Sequence, residues 1–263
     1  MKLFVVDAFA ENPFEGNPAA ICLAEAPLDA AWMQKVAAEM NLSETAFVRS
    51  LNNGVELRWF TPAYEVELCG HATLAAAHVL WTEGVVESDE PIAFHTKSGV
   101  LTCGEQEGLI TMDFPATPPA EQDIPTELIE ALNVRPTFFG MSLYDGIVVV
   151  ESEEVVRTLK PDFRILGDIP MRGVMVTSRA DDKRFDFVSR YFAPGAGVDE
   201  DPVTGSAHCC LGPYWGRQLG KTEMTAFQAS ARGGAVQIRL AGDRVFLGGR
   251  AVTMIRGEIR DAS

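Results

Sequence analysis

The stretch RWFTPAYEVELCGHATLAAAHVL (58–80) decides how this chain is read, because RYFAPGAGVDEDPVTGSAH (190–208) repeats its opening half a chain later. The first copy begins at residue 58 and the second at residue 190, an offset of 132 in a chain of 263 residues. At that offset Arg58 meets Arg190, Trp59 meets Tyr191, Phe60 meets Phe192 and Pro62 meets Pro194. Continued without a gap, Val66 meets Val198, Glu67 meets Asp199, Cys69 meets Asp201 and Ala75 meets Ala207. Self-similarity over half a chain predicts two related domains. Each copy reads as a strand, a proline loop and then a helix. The helix of the first copy, GHATLAAAHVLWTEG (70–84), is apolar or small on nearly every face. Such a helix is buried on all sides, which places it inside a curled sheet.

Outward from the repeat, short strand patterns alternate with few helices. In the first half, strands are expected at 2–9, 19–25, 45–50, 55–60, 92–96 and 108–114, each bounded by Gly, Asn or Pro. Residues 29–41 carry Trp32, Val36 and Met40 at spacing four, the pattern of an amphipathic surface helix. In the second half the same order returns: strand 145–152, helix 153–161, strands 173–178 and 186–192, a small-residue helix at 204–220, then three closing strands. The proline-rich segment PATPPAEQDIP (115–125) reads as the linker, which divides the chain into domains 1–118 and 119–263.

Composition narrows the function classes. The net charge of −15 argues against a nucleic-acid partner, and a mean hydropathy of +0.05 fits a soluble protein with a sizeable core. No apolar run is long enough to span a membrane, and the first residues read as a strand that meets acid at Asp7 rather than as a signal peptide. The five cysteines are odd in number, Cys209 and Cys210 are adjacent, and no spacing suits a metal knuckle. A reducing cytoplasm without a disulfide framework is therefore expected. His71, His78, His95 and His208 are scattered singly, so no metal site is expected. His78 is read as a core hydrogen-bonding residue. Nucleotide-binding glycine signatures are missing, so no cofactor is expected.

The chemistry concentrates at the two helix starts. Helix N-termini expose unpaired N–H groups and a partial positive charge, suited to a substrate carboxylate. Cys69-Gly70-His71 opens one helix, and Asp201-Pro202-Val203-Thr204-Gly205-Ser206 leads into the other. A two-fold relation between the halves would bring both starts to one cleft, with a titratable group on either side of a small molecule. Each residue also has an ordinary reading. Asp201 suits an N-cap followed by proline at N1, and Cys69 suits a small buried filler. A Cys69–His71 pair is disfavoured, because residues at i and i+2 of a helix do not face each other. Glu44, in NLSETAFV (41–48), lies between a helix end and an apolar strand, where a carboxyl group can be tuned for proton transfer.

These blocks, together with VDAFAENPFEGNPAAIC (6–22) and EDPVTGSAH (200–208), resemble the signature segments of the PhzF-like, phenazine-biosynthesis family, in order and over essentially the whole chain. The resemblance implies an α+β, diaminopimelate-epimerase-like fold: two pseudo-symmetric domains, each a curled, mostly antiparallel sheet around a central buried helix. It implies a metal- and cofactor-free isomerase of a small carboxylate, of the dihydro-hydroxyanthranilate-isomerase type, and a homodimer. Glu44 then corresponds to the proton-moving glutamate, with His71 and Asp201 as its catalytic companions. Asn17, Gly70, Thr204, Gly205 and Ser206 are implied to hold the substrate. Related racemases use cysteine at both helix starts, whereas only Cys69 stands here, as a possible second acid or base. Two alternatives stay open: an amino-acid epimerase working through Cys69 and Asp201, and a non-catalytic binding protein on the same fold.

Overall fold

The protein is described by a computed structural model covering residues 1–87 and 90–260. It divides into two compact units, Met1–Asp113 with Gly248–Ser263, and Phe114–Leu247. The division expected from sequence, 1–118 and 119–263, differs in where the last strand belongs. That strand pairs with the first and so joins the first unit.

In the first unit β1 (Lys2–Ala8) is antiparallel to β2 (Asn17–Ala24). The turn between them needs glycine at Gly16. Its φ is +67°, and a Cβ there would lie 2.1 Å from the Ala8 carbonyl oxygen. Next comes α1 (Ala30–Met40), started by the Asp29 carboxylate accepting the Trp32 N–H and ended by Asn41 in the left-handed region. Its buried residues are Met33, Val36 and Ala37; Val36 lies on the expected Trp32–Val36–Met40 line, and Trp32 and Met40 pack partly buried against the same cluster, Trp32 edge-on to Phe47. Then follow β3 (Glu44–Leu51), β4 (Gly54–Phe60), β5 (Glu65–Val66), α2 (Gly70–Thr82), β6 (Ile92–Thr96), β7 (Gly99–Gln106) and β8 (Leu109–Pro115). β3 is parallel to β2 and antiparallel to β4; β4 is antiparallel to β5 and parallel to β6.

The second unit starts within the expected linker, where β9 (Ala120–Glu121) pairs with β10 (Phe138–Met141) after α3 (Thr126–Leu132) intervenes. It continues with β11 (Asp145–Val149), α4 (Glu153–Thr158), α5 (Phe163–Gly167), β12 (Gly173–Arg179), β13 (Phe187–Ala193), β14 (Val198–Asp201), α6 (Gly205–Leu219), β15 (Glu223–Gln228), β16 (Gly234–Ala241) and β17 (Arg244–Gly249). The chain ends in β18 (Ala251–Glu258), the partner of β1. Here β12 is parallel to β11 and antiparallel to β13, while β13 is antiparallel to β14 and parallel to β15. Parallel and antiparallel pairings thus recur in the same order in both units.

Each sheet has a helix on both faces, which is why so many strands are apolar throughout. Helix α2 packs on β1, β2, β3 and β18, with Ala72, Leu74, Ala75, Ala76, Ala77, Val79 and Leu80 almost fully buried. The expectation of a helix enclosed by a curled sheet holds. Helix α6 packs on β15 and β16. On the outer faces, α1 seals Phe47 and Phe60, and α3, α4 and α5 seal Val148, Val176 and Phe192.

Helix α6 approaches its sheet through Gly212 and Gly216. A Cβ on Gly216 would lie 2.9 Å from the Lys221 carbonyl oxygen and 2.5 Å from Leu240 Cδ1. Alanine is the better helix former, by roughly 1 kcal/mol, but the backbone oxygen cannot step aside as a rotamer can. Gly216→Ala is expected to be destabilising by about 1–2 kcal/mol net, read as a lower urea midpoint at unchanged slope.

Strand pairing also fixes the register of the repeat. Phe60 faces Thr45 in one unit, and Phe192 faces Val174 in the other, so Thr45 corresponds to Val174 and Glu44 to Gly173. Beyond the proline loop the offset grows. Trp59 faces Val66, while Tyr191 faces Asp201 across a bulge that follows the 3₁₀ turn Pro194–Ala196. That loop is three residues longer in the second unit. The N-caps are Cys69 and Thr204, so Cys69 corresponds to Thr204 and His71 to Ser206. The gap-free match of Cys69 with Asp201 is corrected accordingly.

Candidate active site

Four side chains from three separated segments meet in the first unit. Asn17 opens β2 directly after the Gly16 turn, Glu44 opens β3 after the Asn41 cap, and Cys69 and His71 flank the first residue of α2, Gly70. His71 Nε2 lies 3.2 Å from Glu44 Oε2. Asn17 Nδ2 donates to His71 Nδ1 at 3.2 Å, and Cys69 Sγ lies 3.5 Å from the same nitrogen. With Nδ1 accepting, the ring proton sits on Nε2, beside the Glu44 carboxylate. The approach falls outside hydrogen-bond angles, so the two groups are neighbours rather than a locked pair.

His71 is buried, and burial pushes its pKa down to about 3. It is therefore neutral at physiological pH, and its contact with Glu44 joins an imidazole to a carboxylate, not two opposite charges. Glu44 keeps access to solvent, with 18% of its side chain exposed. Cys69 has extended backbone angles (φ −147°, ψ 111°), so the rule separating i from i+2 on a helix does not reach it. Thr73 ties the start of α2 by donating to the Cys69 carbonyl at 2.6 Å.

In the second unit Asp201 ends β14 and is not the N-cap; that place belongs to Thr204, three residues on. The Thr204 hydroxyl donates to Asp201 Oδ2. The Thr204 N–H donates to Gln228 Oε1 at 2.9 Å, and Gln228 Nε2 donates to the Asp201 carbonyl at 2.7 Å. His208, one turn into α6, donates from Nδ1 to the Thr204 carbonyl at 2.8 Å. Gly205 and Ser206 form the first turn. His78 makes the expected hydrogen bond, to Thr253 at 2.9 Å, but from a half-buried position rather than the core.

Glu44, Cys69 and His71 also have their donor atoms within 4.8 Å of one another, a set whose chemistry suits a divalent ion such as zinc. Histidine spacing could not reveal it, because the ligands come from separate elements. Sequence reading also missed the cluster around Arg172 in the second unit: Arg172 donates to Asp145 and to Ser206 Oγ, and the Tyr191 hydroxyl donates to Asp145 as well.

Two α+β units of one pattern, each with polar side chains gathered at the start of a buried helix, define the epimerase-like fold. The PhzC-PhzF family of phenazine biosynthesis-like proteins matches residues 6–257. The chain belongs to this family. An uncharacterized isomerase of Halalkalibacterium halodurans is 50% identical over 98% of this chain and 97% of its own. A PhzF-family phenazine biosynthesis protein of Enterococcus faecalis superposes with a TM-score of 0.95 at 42% identity, covering 98% of both chains. A predicted epimerase of Pseudomonas aeruginosa shares the fold, with a TM-score of 0.76 at 20% identity over 99% of both chains. No helix among the described residues is long and apolar enough to cross a membrane.

Proposed function

We propose that this isomerase moves a proton between two carbons of a small carboxylate-bearing substrate, with Glu44 as both base and acid. The supporting observation is the Glu44–His71 pair: a partly exposed carboxylate 3.2 Å from the Nε2 of a buried, neutral imidazole whose tautomer Asn17 sets. Glu44 takes the proton from one carbon and returns it to another. As Glu44 takes up the proton, negative charge passes from its carboxylate to the substrate, and the neutral His71 Nε2–H beside it is the donor for that charge. Asp201, Thr204, Gly205 and Ser206 are assigned to substrate binding on the strength of the family resemblance alone.

The test is proton NMR in D₂O with dihydro-hydroxyanthranilate, cyclic dienes and amino acids as the panel. Deuterium entering a substrate carbon supports the reading, and no exchange with any panel member at millimolar enzyme-saturating concentrations counts against it.

The thiol reading has its own observation, the 3.5 Å approach of Cys69 Sγ to His71 Nδ1. If Cys69 only fills space beside the ring, Cys69→Ala keeps exchange within about tenfold, a small loss against the 10²–10⁴ that a general acid or base supplies. Abolished exchange in Cys69→Ala would instead select an epimerase that works through the thiol.

A further inference from the structure

The second unit carries a cation and a hydroxyl where the repeat places the Glu44–His71 pair. Ser43 and Glu44 correspond to Arg172 and Gly173, and His71 corresponds to Ser206. A carboxylate cannot stand at Gly173, because a Cβ there would lie 2.3 Å from the Tyr191 hydroxyl oxygen. The counterpart of Ala19 is Asp145, since these residues face Glu44 and Gly173 in the parallel pairs. Asp145 is buried, and three donors converge on it. Arg172 Nε donates to Oδ1 at 2.8 Å, Arg172 Nη2 donates to Oδ2, and the Tyr191 hydroxyl donates to Oδ1 at 3.0 Å.

We propose that Arg172, with Ser206 beside it, forms a carboxylate-binding site in the second unit. The guanidinium is fixed on three sides: by Asp145, by the Tyr144 ring 5.0 Å away, and by Ser206 Oγ, 3.4 Å from Nη2. Asp145 uses Nε and Nη2 and leaves the Nη1 edge to a ligand, while 42% of the Arg172 side chain meets solvent. A buried carboxylate behind an exposed guanidinium holds its plane still, and a planar fork held still is what bidentate carboxylate recognition needs. The two halves of the repeat have thus diverged into a proton-moving pair and an anion-reading pair.

The test uses benzoate and its neutral isostere benzamide on the full chain. In wild type, benzoate is expected to shift the Arg172 Nε–H signal and the Ser206 amide in ¹⁵N NMR, and benzamide is not. Arg172→Gln is expected to weaken benzoate binding by at least about tenfold, the effect of removing a charge-assisted hydrogen bond. Arg172→Lys keeps a charge opposite Asp145 and serves if the glutamine variant unfolds, with a smaller loss expected. Benzoate that leaves Arg172 unshifted, binds the variants equally or binds no better than benzamide overturns the inference. Arg172-dependent benzoate binding without proton exchange on any panel compound would sink the isomerase mechanism and leave the anion site standing.

Discussion

Glu44→Gln is expected to lower solvent-deuterium exchange by between about 10² and 10⁴, with the fold intact. Glutamine keeps the shape and an acceptor oxygen opposite His71 Nε2–H, so the Asn17–His71–Glu44 arrangement survives while the proton acceptor is lost. A melting temperature within a few degrees of wild type separates this loss from unfolding. Glu44→Asp sharpens the test. It preserves the charge but withdraws the carboxylate by about one carbon–carbon bond, and displacements near 1 Å cost on the order of 10² when geometry carries the catalysis. Both variants should therefore fail for different reasons, glutamine in chemistry and aspartate in position. Exchange that persists in Glu44→Gln but disappears in Cys69→Ala would transfer the proton-moving role to the thiol.

Why could the sequence single out Glu44 but not Arg172? Glu44 stands in a local block, a helix end followed by an apolar strand, which marks it as a candidate, and the family resemblance supplies the role proposed for it. Arg172 stands at the matching boundary before β12, but nothing in its neighbours marks it. Its meaning depends on Asp145, 27 residues earlier, and on Ser206, 34 residues later. The repeat would have led there had its offset been constant. The pairings show instead that Glu44 corresponds to Gly173 and Cys69 to Thr204, offsets of 129 and 135 on either side of a core match at 132. Loops absorb insertions while strand registers stay fixed by burial, so a gap-free comparison finds the strand and misplaces the cap. The buried helices were legible because their lack of a polar face is a local property. The convergence of Asn17, Glu44 and His71 is a property of the parallel pairing of β2 with β3, which a linear pattern does not express.

Acid should unfold this protein through its histidines. His208 is fully buried, and burial pushes its pKa down to about 4, opposed only in part by its bond to the Thr204 carbonyl. His71 lies in the same direction, at about 3. Below about pH 6.5 the unfolded chain binds protons that the folded chain refuses, so stability is full above that value and falls as pH drops towards the folded pKa values. The slope is about 1.4 kcal/mol per pH unit for each histidine, which makes roughly 2 kcal/mol each between pH 6.5 and pH 5. Against a typical stability of about 5–15 kcal/mol, that loss is large. His208→Gln isolates it. The glutamine amide can still donate to the Thr204 carbonyl, so some stability is lost at pH 7, but no proton is taken up on unfolding. Urea midpoints measured from pH 7.5 to pH 5 are expected to fall less steeply for the variant than for wild type. Parallel curves would mean that His208 contributes no linkage and that protonated carboxylates govern acid unfolding.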